Sequence, residues 1–207
     1  MARNIFRGLG IALVTPFTSD GQVDYKSLKR LVEYQIDNGA DFLCILATTG
    51  ETPCLTQDEK DKITQLVKDV NHGRLPILKG CGGNNTAAVV EELRTADWSG
   101  IDGILSVCPY YNKPSQEGLY QHFKAIAEAS PLPVVLYNVP GRTGINLKPE
   151  TTVRLANDCE NIVAVKEASG SLEQVDEIIK NKPQRFDVLS GDDALTFSMV
   201  ASGAAGV

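Results

Sequence analysis

One lysine in this sequence stands where its amine could react. Lys166 ends the apolar run 162–165, which has the length and composition of a strand buried on both faces. Partial desolvation at the end of such a strand favours the neutral, nucleophilic amine over the ammonium. An amine of this kind can form an imine with a carbonyl compound. The alternative is an ordinary strand-terminal lysine, whose stem packs against the core while its ammonium reaches water.

Polar side chains also follow several other strand-like runs. Thr48 and Thr49 precede a glycine, and hydroxyls beside backbone amides can bind a small carboxylate. Arg142 lies in a Gly-Arg-Thr-Gly loop, where its guanidinium could bind a second carboxylate through two hydrogen bonds. Tyr111 and Tyr137 carry phenols, which both donate and accept protons. Each of these features has an alternative without function: a simple turn for the threonines, a solvated loop residue for the arginine, and packed rings for the tyrosines. Because all of them follow predicted strands, they are nevertheless candidates for one site.

The elements that must position these residues alternate between strand and helix. Strand-like runs recur at a spacing of roughly thirty residues, the length of a strand–helix unit. The runs begin near Ile11, Phe42, Leu75, Gly103, Pro133, Ile162, Asp187 and Ala204. Eight starts predict a closed α/β barrel, the (β/α)8 or TIM barrel, whose active sites lie at the carboxyl ends of the strands. An open doubly wound sheet is the alternative, but Thr15-Pro16-Phe17 stands where a dinucleotide-binding loop would need glycines.

Helical periodicity between the runs supports this alternation. It predicts helices over residues 25–36, 57–70, 119–129 and 172–179. Thr56, with Glu59 three residues later, predicts a capping box at the start of the second of these helices. No interdomain linker interrupts the pattern, so we expect one barrel domain over residues 1–207. The eighth run is cut off soon after Ala204, and we expect the rest of strand eight, its helix and the C-terminal helices to be missing.

Composition excludes several classes of function. The chain of 207 residues is 43% hydrophobic and 22% charged with a formal net charge of −6, which gives no support to a nucleic-acid or anionic-membrane partner. No apolar run has the length of a membrane span, and no signal peptide precedes the first strand. The five cysteines and two histidines lack metal-ligand spacing, so we expect no metal. Unpaired cysteines such as Cys44 and Cys108 are expected in the core, in a reducing cytoplasm.

The segments after the predicted strands resemble those of the dihydrodipicolinate synthase / N-acetylneuraminate lyase family. The matching stretches are residues 48–51, 110–123, 137–140, 141–144 and 165–168. Similarity extends in order over essentially the whole chain. The resemblance implies a class I aldolase-like TIM barrel without a cofactor, in which Lys166 forms a Schiff base with pyruvate.

The resemblance also implies roles for the other candidates. Tyr137 would transfer protons, and Thr49 with Tyr111 would complete a proton relay to bulk water, Tyr111 being donated across a dimer interface. Thr48 and Thr49 would bind the pyruvate carboxylate. Arg142 would bind the carboxylate of L-aspartate 4-semialdehyde, the second substrate in the diaminopimelate route of lysine biosynthesis. Family members of this type are usually homotetramers built from two tight dimers.

Other activities remain open from sequence. Another pyruvate-dependent aldolase of the family, such as an N-acetylneuraminate lyase, would share the lysine, but sialic acid lyases usually lack an arginine at the position of Arg142. A catalytically silent barrel that acts as a binding protein is a further alternative, against which the intact set of site residues argues. One departure from the family pattern is Ala47, which stands where the family usually has glycine and whose methyl could crowd the carboxylate-binding loop.

We predict weak inhibition by lysine. Asn84 and Tyr110 match positions near which feedback-regulated members bind lysine, but Ala88 stands where regulated bacterial and plant enzymes often carry glutamate. Without that carboxylate, the ammonium of the inhibitor loses a partner. An activity assay with millimolar lysine should retain most of the activity. Near-complete inhibition would contradict this prediction.

Overall fold

The computed structural model describes residues 5–207 and shows a single parallel sheet. Within these residues seven strands lie side by side in the order of the sequence, each paired in parallel with the next. They are β1 (Gly10–Ala12), β2 (Phe42–Ile45), β3 (Ile77–Gly80), β4 (Gly103–Val107), β5 (Val134–Asn138), β6 (Ile162–Glu167) and β7 (Asp187–Ser190). Most strand starts lie within a residue of their predicted positions, and β3 begins two residues after its predicted start at Leu75.

Helices follow the strands and cover the outside of the sheet. They are α1 (Tyr25–Asp37), α2 (Gln57–Asn71), α3 (Thr86–Thr95), α4 (Gln116–Ala129), α5 (Pro140–Thr143), α6 (Pro149–Asp158), α7 (Leu172–Asn181) and α8 (Thr196–Ser202). The four helices predicted from periodicity are α1, α2, α4 and α7. The capping box is confirmed, because the Thr56 amide donates to the Glu59 carboxylate at 2.8 Å and the Glu59 amide donates to the Thr56 hydroxyl at 3.3 Å.

The last residues occupy the position of an eighth strand. Gly206 pairs in parallel both with Leu189 in β7 and with Gly8, which lies just before β1. The Ser190 amide donates to the Gly206 carbonyl at 2.8 Å, and the Gly10 amide donates to the Val207 carbonyl at 2.8 Å. Residues 205–207 are therefore hydrogen-bonded on both sides and complete the ring at this level. The predicted α/β barrel architecture is confirmed.

The core is divided between the inside of the ring and the layer beneath the helices. Inside, Phe6 is fully buried and meets Phe42 edge to face, with ring centroids 5.5 Å apart. Gly103 makes room for Phe6, because a Cβ there would lie 2.5 Å from the Phe6 ring. Cys44 and Cys108 are buried, as expected, on opposite sides of the sheet. Alternate side chains along each strand thus face the interior or the helices.

Candidate functional site

The register of β5 against β6 places Lys166 beside Tyr137. The two residues are direct partners in the parallel ladder, and the Lys166 ammonium nitrogen Nζ lies 5.1 Å from the centroid of the Tyr137 ring. Tyr137 is 7% exposed and belongs to the interior cluster of the barrel. An amine that could form an imine and a phenol that could transfer protons therefore lie together at the carboxyl ends of neighbouring strands.

Burial keeps the phenol of Tyr137 protonated. Desolvation raises the pKa of Tyr137, while the charge of Arg142 and a hydrogen bond with the Thr48 side chain act in the opposite direction. The net pKa lies above the ordinary value, so at neutral pH Tyr137 carries a proton that it can donate.

The interior below the amine is apolar. A small cavity there is lined by Lys166 together with Cys44, Leu105, Leu189 and other core residues. Burial raises the pKa of Cys44 to about 11, although the nearby Lys166 charge lowers it somewhat. Cys44 is therefore a neutral thiol at physiological pH and fills space as a small hydrophobic residue.

A glycine after β7 makes room for the lysine side chain. A Cβ at Gly191 would lie 3.0 Å from Lys166 Cγ, 3.1 Å from Lys166 Cε and 3.0 Å from Ala168 Cβ. These separations are closer than ordinary carbon–carbon contact, so a methyl group at this position would displace the lysine. Nothing in the residue's sequence neighbourhood indicated this role.

A pocket of about 510 Å³ opens where the strands end, next to Tyr137. Its lining includes Thr48 after β2, Tyr110 after β4, and Tyr137 and Arg142 at and after the end of β5, so three strand–helix units contribute to it. A hydroxyl, two phenols and a guanidinium thus face the same volume. This set suits a small anionic molecule, because it combines a positive charge with several hydrogen-bond donors.

The turn that carries Thr48 and Thr49 is fixed by its backbone. Residues Thr48–Gly50 form a 3₁₀ turn, in which the Gly50 amide donates to the Ala47 carbonyl at 3.1 Å. The buried hydroxyl of Thr15 donates to the Gly50 carbonyl at 2.7 Å. Ala47 has φ of −95° and extended ψ, a conformation open to any residue, so its methyl causes no backbone strain here.

Arg142 lies on a one-turn helix beside the pocket. It is exposed within α5, and the neighbouring Thr143 is buried, with its hydroxyl donating to the Ile145 carbonyl at 2.9 Å and to the Val139 carbonyl at 3.2 Å. Gly144 ends the turn with φ of +72°, in the left-handed region that glycine adopts readily. The short helix thus holds the arginine backbone, while the guanidinium stays free to meet a ligand.

Three predicted catalytic residues lie outside the pocket lining: Lys166 lines the small interior cavity, and Thr49 and Tyr111 are exposed. Tyr111 is 88% exposed and has φ of +75°. The loop around it is held by Asn84 and Asn112: Asn84 Nδ2 donates to the Tyr110 carbonyl, and Asn112 Nδ2 donates to the Asn84 carbonyl, both at 3.2 Å. The predicted regulatory residues Asn84 and Tyr110 are therefore direct neighbours, whereas the Tyr111 side chain is exposed to solvent.

Sequence reasoning missed a set of buried polar residues behind the site. Asn138 and Glu167 directly follow Tyr137 and Lys166, and both are buried. Asn138 Nδ2 lies 3.1 Å from each Glu167 carboxylate oxygen. The period of two along a strand was the available signal, because it places these residues on the face opposite to the amine and the phenol.

Residues 5–207 contain neither a candidate metal site nor a helix that could cross a membrane. Within this part of the chain, no three His, Cys, Asp or Glu residues lie together as potential metal ligands. None of its helices is both long and apolar enough to cross a membrane.

Comparison with known proteins gives one consistent family. Residues 5–207 match the dihydrodipicolinate synthetase family. Among curated relatives, 4-hydroxy-tetrahydrodipicolinate synthase of Phocaeicola vulgatus is 60% identical over 207 residues, which are 100% of this chain and 70% of the relative.

Solved structures agree with the family assignment. Dihydrodipicolinate synthase from Acinetobacter baumannii, complexed with pyruvate, is 44% identical with a TM-score of 0.93, and the match covers 98% of this chain and 69% of that one. The enzyme from Cyanidioschyzon merolae with lysine bound is also 44% identical with a TM-score of 0.93, over 99% of this chain and 70% of that one. At these identities and TM-scores, the fold is shared.

Replacing Gly191 by alanine should destabilise the protein by about 1–3 kcal/mol, because the added methyl overpacks the Lys166 side chain. Gly141→Ala is the matched control, since a Cβ at Gly141 would meet no atom within 4 Å. Urea unfolding followed by circular dichroism measures both changes. Equal stability of the two variants would show that the space beside Lys166 is not needed.

Proposed function

The chain belongs to the dihydrodipicolinate synthetase family, and we propose that it condenses pyruvate with L-aspartate 4-semialdehyde through an imine on Lys166. This is the carbon–oxygen lyase reaction of 4-hydroxy-tetrahydrodipicolinate synthases, which belongs to lysine and diaminopimelate biosynthesis. The observation that carries the proposal is the Lys166 amine 5.1 Å from the ring of the buried Tyr137, beside a pocket that contains Thr48 and Arg142.

The first half of the reaction needs an amine and a proton donor. Lys166 Nζ attacks the keto carbon of pyruvate, and the keto oxygen leaves as water after protonation. Tyr137 supplies that proton, because its raised pKa keeps the phenol protonated. The resulting imine draws electrons from the methyl group, which loses a proton to give an enamine.

The second half joins the two substrates and releases the lysine. The enamine carbon attacks the aldehyde carbon of the semialdehyde, and the aldehyde oxygen becomes a hydroxyl by taking up a proton. The amino group of the semialdehyde then attacks the imine carbon, closes the ring and expels the Lys166 amine. Tyr137 lies within reach of the proton transfers at both stages, since its ring contacts the lysine.

Two carboxylates must be held in opposite parts of the pocket. Thr48 and Thr49, at the fixed turn after β2, bind the pyruvate carboxylate next to Tyr137. Arg142 binds the carboxylate of the semialdehyde from α5. We assign the carboxylates in this way from residue chemistry, because hydroxyls beside backbone amides suit the small pyruvate carboxylate and a guanidinium can bind the second carboxylate through two hydrogen bonds.

We propose that Tyr111 acts in the pocket of a second subunit. A phenol that is 88% exposed on its own chain is available to complete a proton relay with Thr49 in a neighbouring pocket. We infer a homotetramer of two tight dimers with one barrel domain in each subunit, located in the cytoplasm. The prediction about regulation is unchanged: with alanine rather than glutamate at position 88, lysine should inhibit weakly.

Loss of the amine tests the reaction directly. Lys166→Arg keeps a positive charge but cannot form the imine, so the condensation rate should fall on the order of 10³-fold or more. Lys180→Arg, at an exposed position of α7, is the control and should leave the rate unchanged. Consumption of the semialdehyde in the presence of pyruvate measures both. A Lys166→Arg protein with ordinary activity would end the proposal.

Arg142 should select the second substrate. Arg142→Ala removes a bidentate charged contact, and kcat/KM for the semialdehyde should fall roughly 10–100-fold while pyruvate binding stays nearly constant. Arg142→Lys, which keeps the charge without the planar fork, should be intermediate. Steady-state kinetics with each substrate varied in turn separates the two effects. Turnover of a sugar aldehyde but not of the semialdehyde would favour a lyase-type aldolase instead.

A further inference from the structure

A buried carboxylate lies directly behind the reactive amine. Glu167 is 1% exposed and accepts hydrogen bonds from the Ser169 amide at 2.7 Å, from Asn138 Nδ2 at 3.1 Å to each oxygen, and from Gln174 Nε2 at 3.1 Å. None of the ion pairs seen among residues 5–207 involves this carboxylate. Neutral donors alone therefore stabilise it, in a place where burial raises its pKa.

The donors to Glu167 are themselves joined to one another. Asn138 Nδ2 also donates to Asn146 Oδ1 at 2.8 Å, and the Leu147 amide donates to Asn138 Oδ1 at 2.9 Å. Asn146 Nδ2 donates to Gln174 Oε1 at 2.8 Å. The four side chains Asn138, Asn146, Glu167 and Gln174 form a closed buried network, which we call the amide–carboxylate network. A satisfied network of this kind fixes one arrangement of its members.

This network joins the parts of the chain that carry the site. Asn138 follows Tyr137 in β5, and Glu167 follows Lys166 in β6. The segment between Asn138 and Asn146 carries Arg142. Gln174 belongs to α7, which packs against β7 and α6. Three of the proposed functional side chains are therefore attached to backbone that the network holds from the opposite face of the sheet.

We propose that Glu167 is a positioning residue for the Lys166 amine, acting through the amide–carboxylate network; this rests on the proposed function. Its carboxylate accepts from three different donor groups at once, which an amide of the same shape cannot do, because the amide nitrogen is only a donor. The charge fixes the carboxyl end of β6 against β5, and so fixes the attack geometry of Nζ. Reaction rates are sensitive to such placement, since an error near 1 Å can cost about a hundredfold.

Glu167→Gln tests this role without changing side-chain volume. The variant and the wild-type protein are mixed with saturating pyruvate and quenched with borohydride at successive times, and intact mass gives the fraction converted to reduced adduct. We expect the rate constant of adduct formation to fall about tenfold to a hundredfold, with an unchanged final fraction. Glu177→Gln makes the same chemical change at an exposed position of α7, and its rate should equal that of the wild type.

Failure of the proposed function and failure of the positioning role of Glu167 give different results in this experiment. A wild-type protein that forms no adduct would overturn the proposed function itself. A wild-type protein that forms adduct, together with a Glu167→Gln variant that reacts at the wild-type rate, would overturn the positioning role. A lower final fraction at an unchanged rate would overturn it as well, because that pattern reports fewer folded molecules.

Two further variants keep the test decisive. The double variant Asn138→Asp, Glu167→Gln places the carboxylate at position 138 and the amide at position 167. Its rate constant of adduct formation should be at least about threefold higher than that of Glu167→Gln alone. If Glu167→Gln does not fold, Gln174→Met removes one donor to Glu167 from α7 and should slow adduct formation at least about threefold. A wild-type rate in Gln174→Met, or no recovery in the double variant, would contradict the proposal.

Discussion

The parallel register of β5 and β6 is the constraint on which the site depends. It sets Tyr137 opposite Lys166 and Asn138 opposite Glu167. Because side chains alternate along a strand, the first pair faces the pocket and the interior while the second faces the helices. A slip of one residue would exchange the two faces, placing the carboxylate where the amine must be. The hydrogen bonds between β5 and β6 therefore position both the reactive pair, Lys166 and Tyr137, and the buried polar pair behind it, Asn138 and Glu167.

Residues at the ends of other strands would give the Lys166–Tyr137 pair its specificity for carboxylate substrates. In a parallel barrel all carboxyl ends meet at one edge, so Thr48 after β2 and Arg142 after β5 reach the same pocket although they are far apart in sequence. The interior below is apolar and closed, with Cys44 as a neutral thiol. Polar groups are thus confined to the edge, where a carboxylate substrate can enter, and water has little access beneath the amine.

Much of this could be predicted from sequence, for identifiable reasons. The spacing of apolar runs indicated the barrel, and Lys166, Tyr137, Thr48 and Arg142 were found because they lie at or shortly after the carboxyl ends of strands. The exposure of Tyr111 on its own chain agrees with the expected donation across a dimer interface, which remains a proposal. Helices α3, α5, α6 and α8 were not delimited from sequence; α5 and α8 have only four and seven residues, too few for a helical period to be recognised.

Other features depend on contacts that local sequence does not encode. The space that Gly191 leaves for Lys166 arises only when β6 and β7 are side by side. The amide–carboxylate network joins residues up to 36 positions apart, from Asn138 to Gln174, so no single motif shows it. Peptide mapping is the most direct test of the central claim: after borohydride reduction with pyruvate, trypsin should no longer cleave at Lys166, and one adduct-bearing peptide over residues 155–180 should appear. Normal cleavage there, with the adduct on another lysine, would contradict the account.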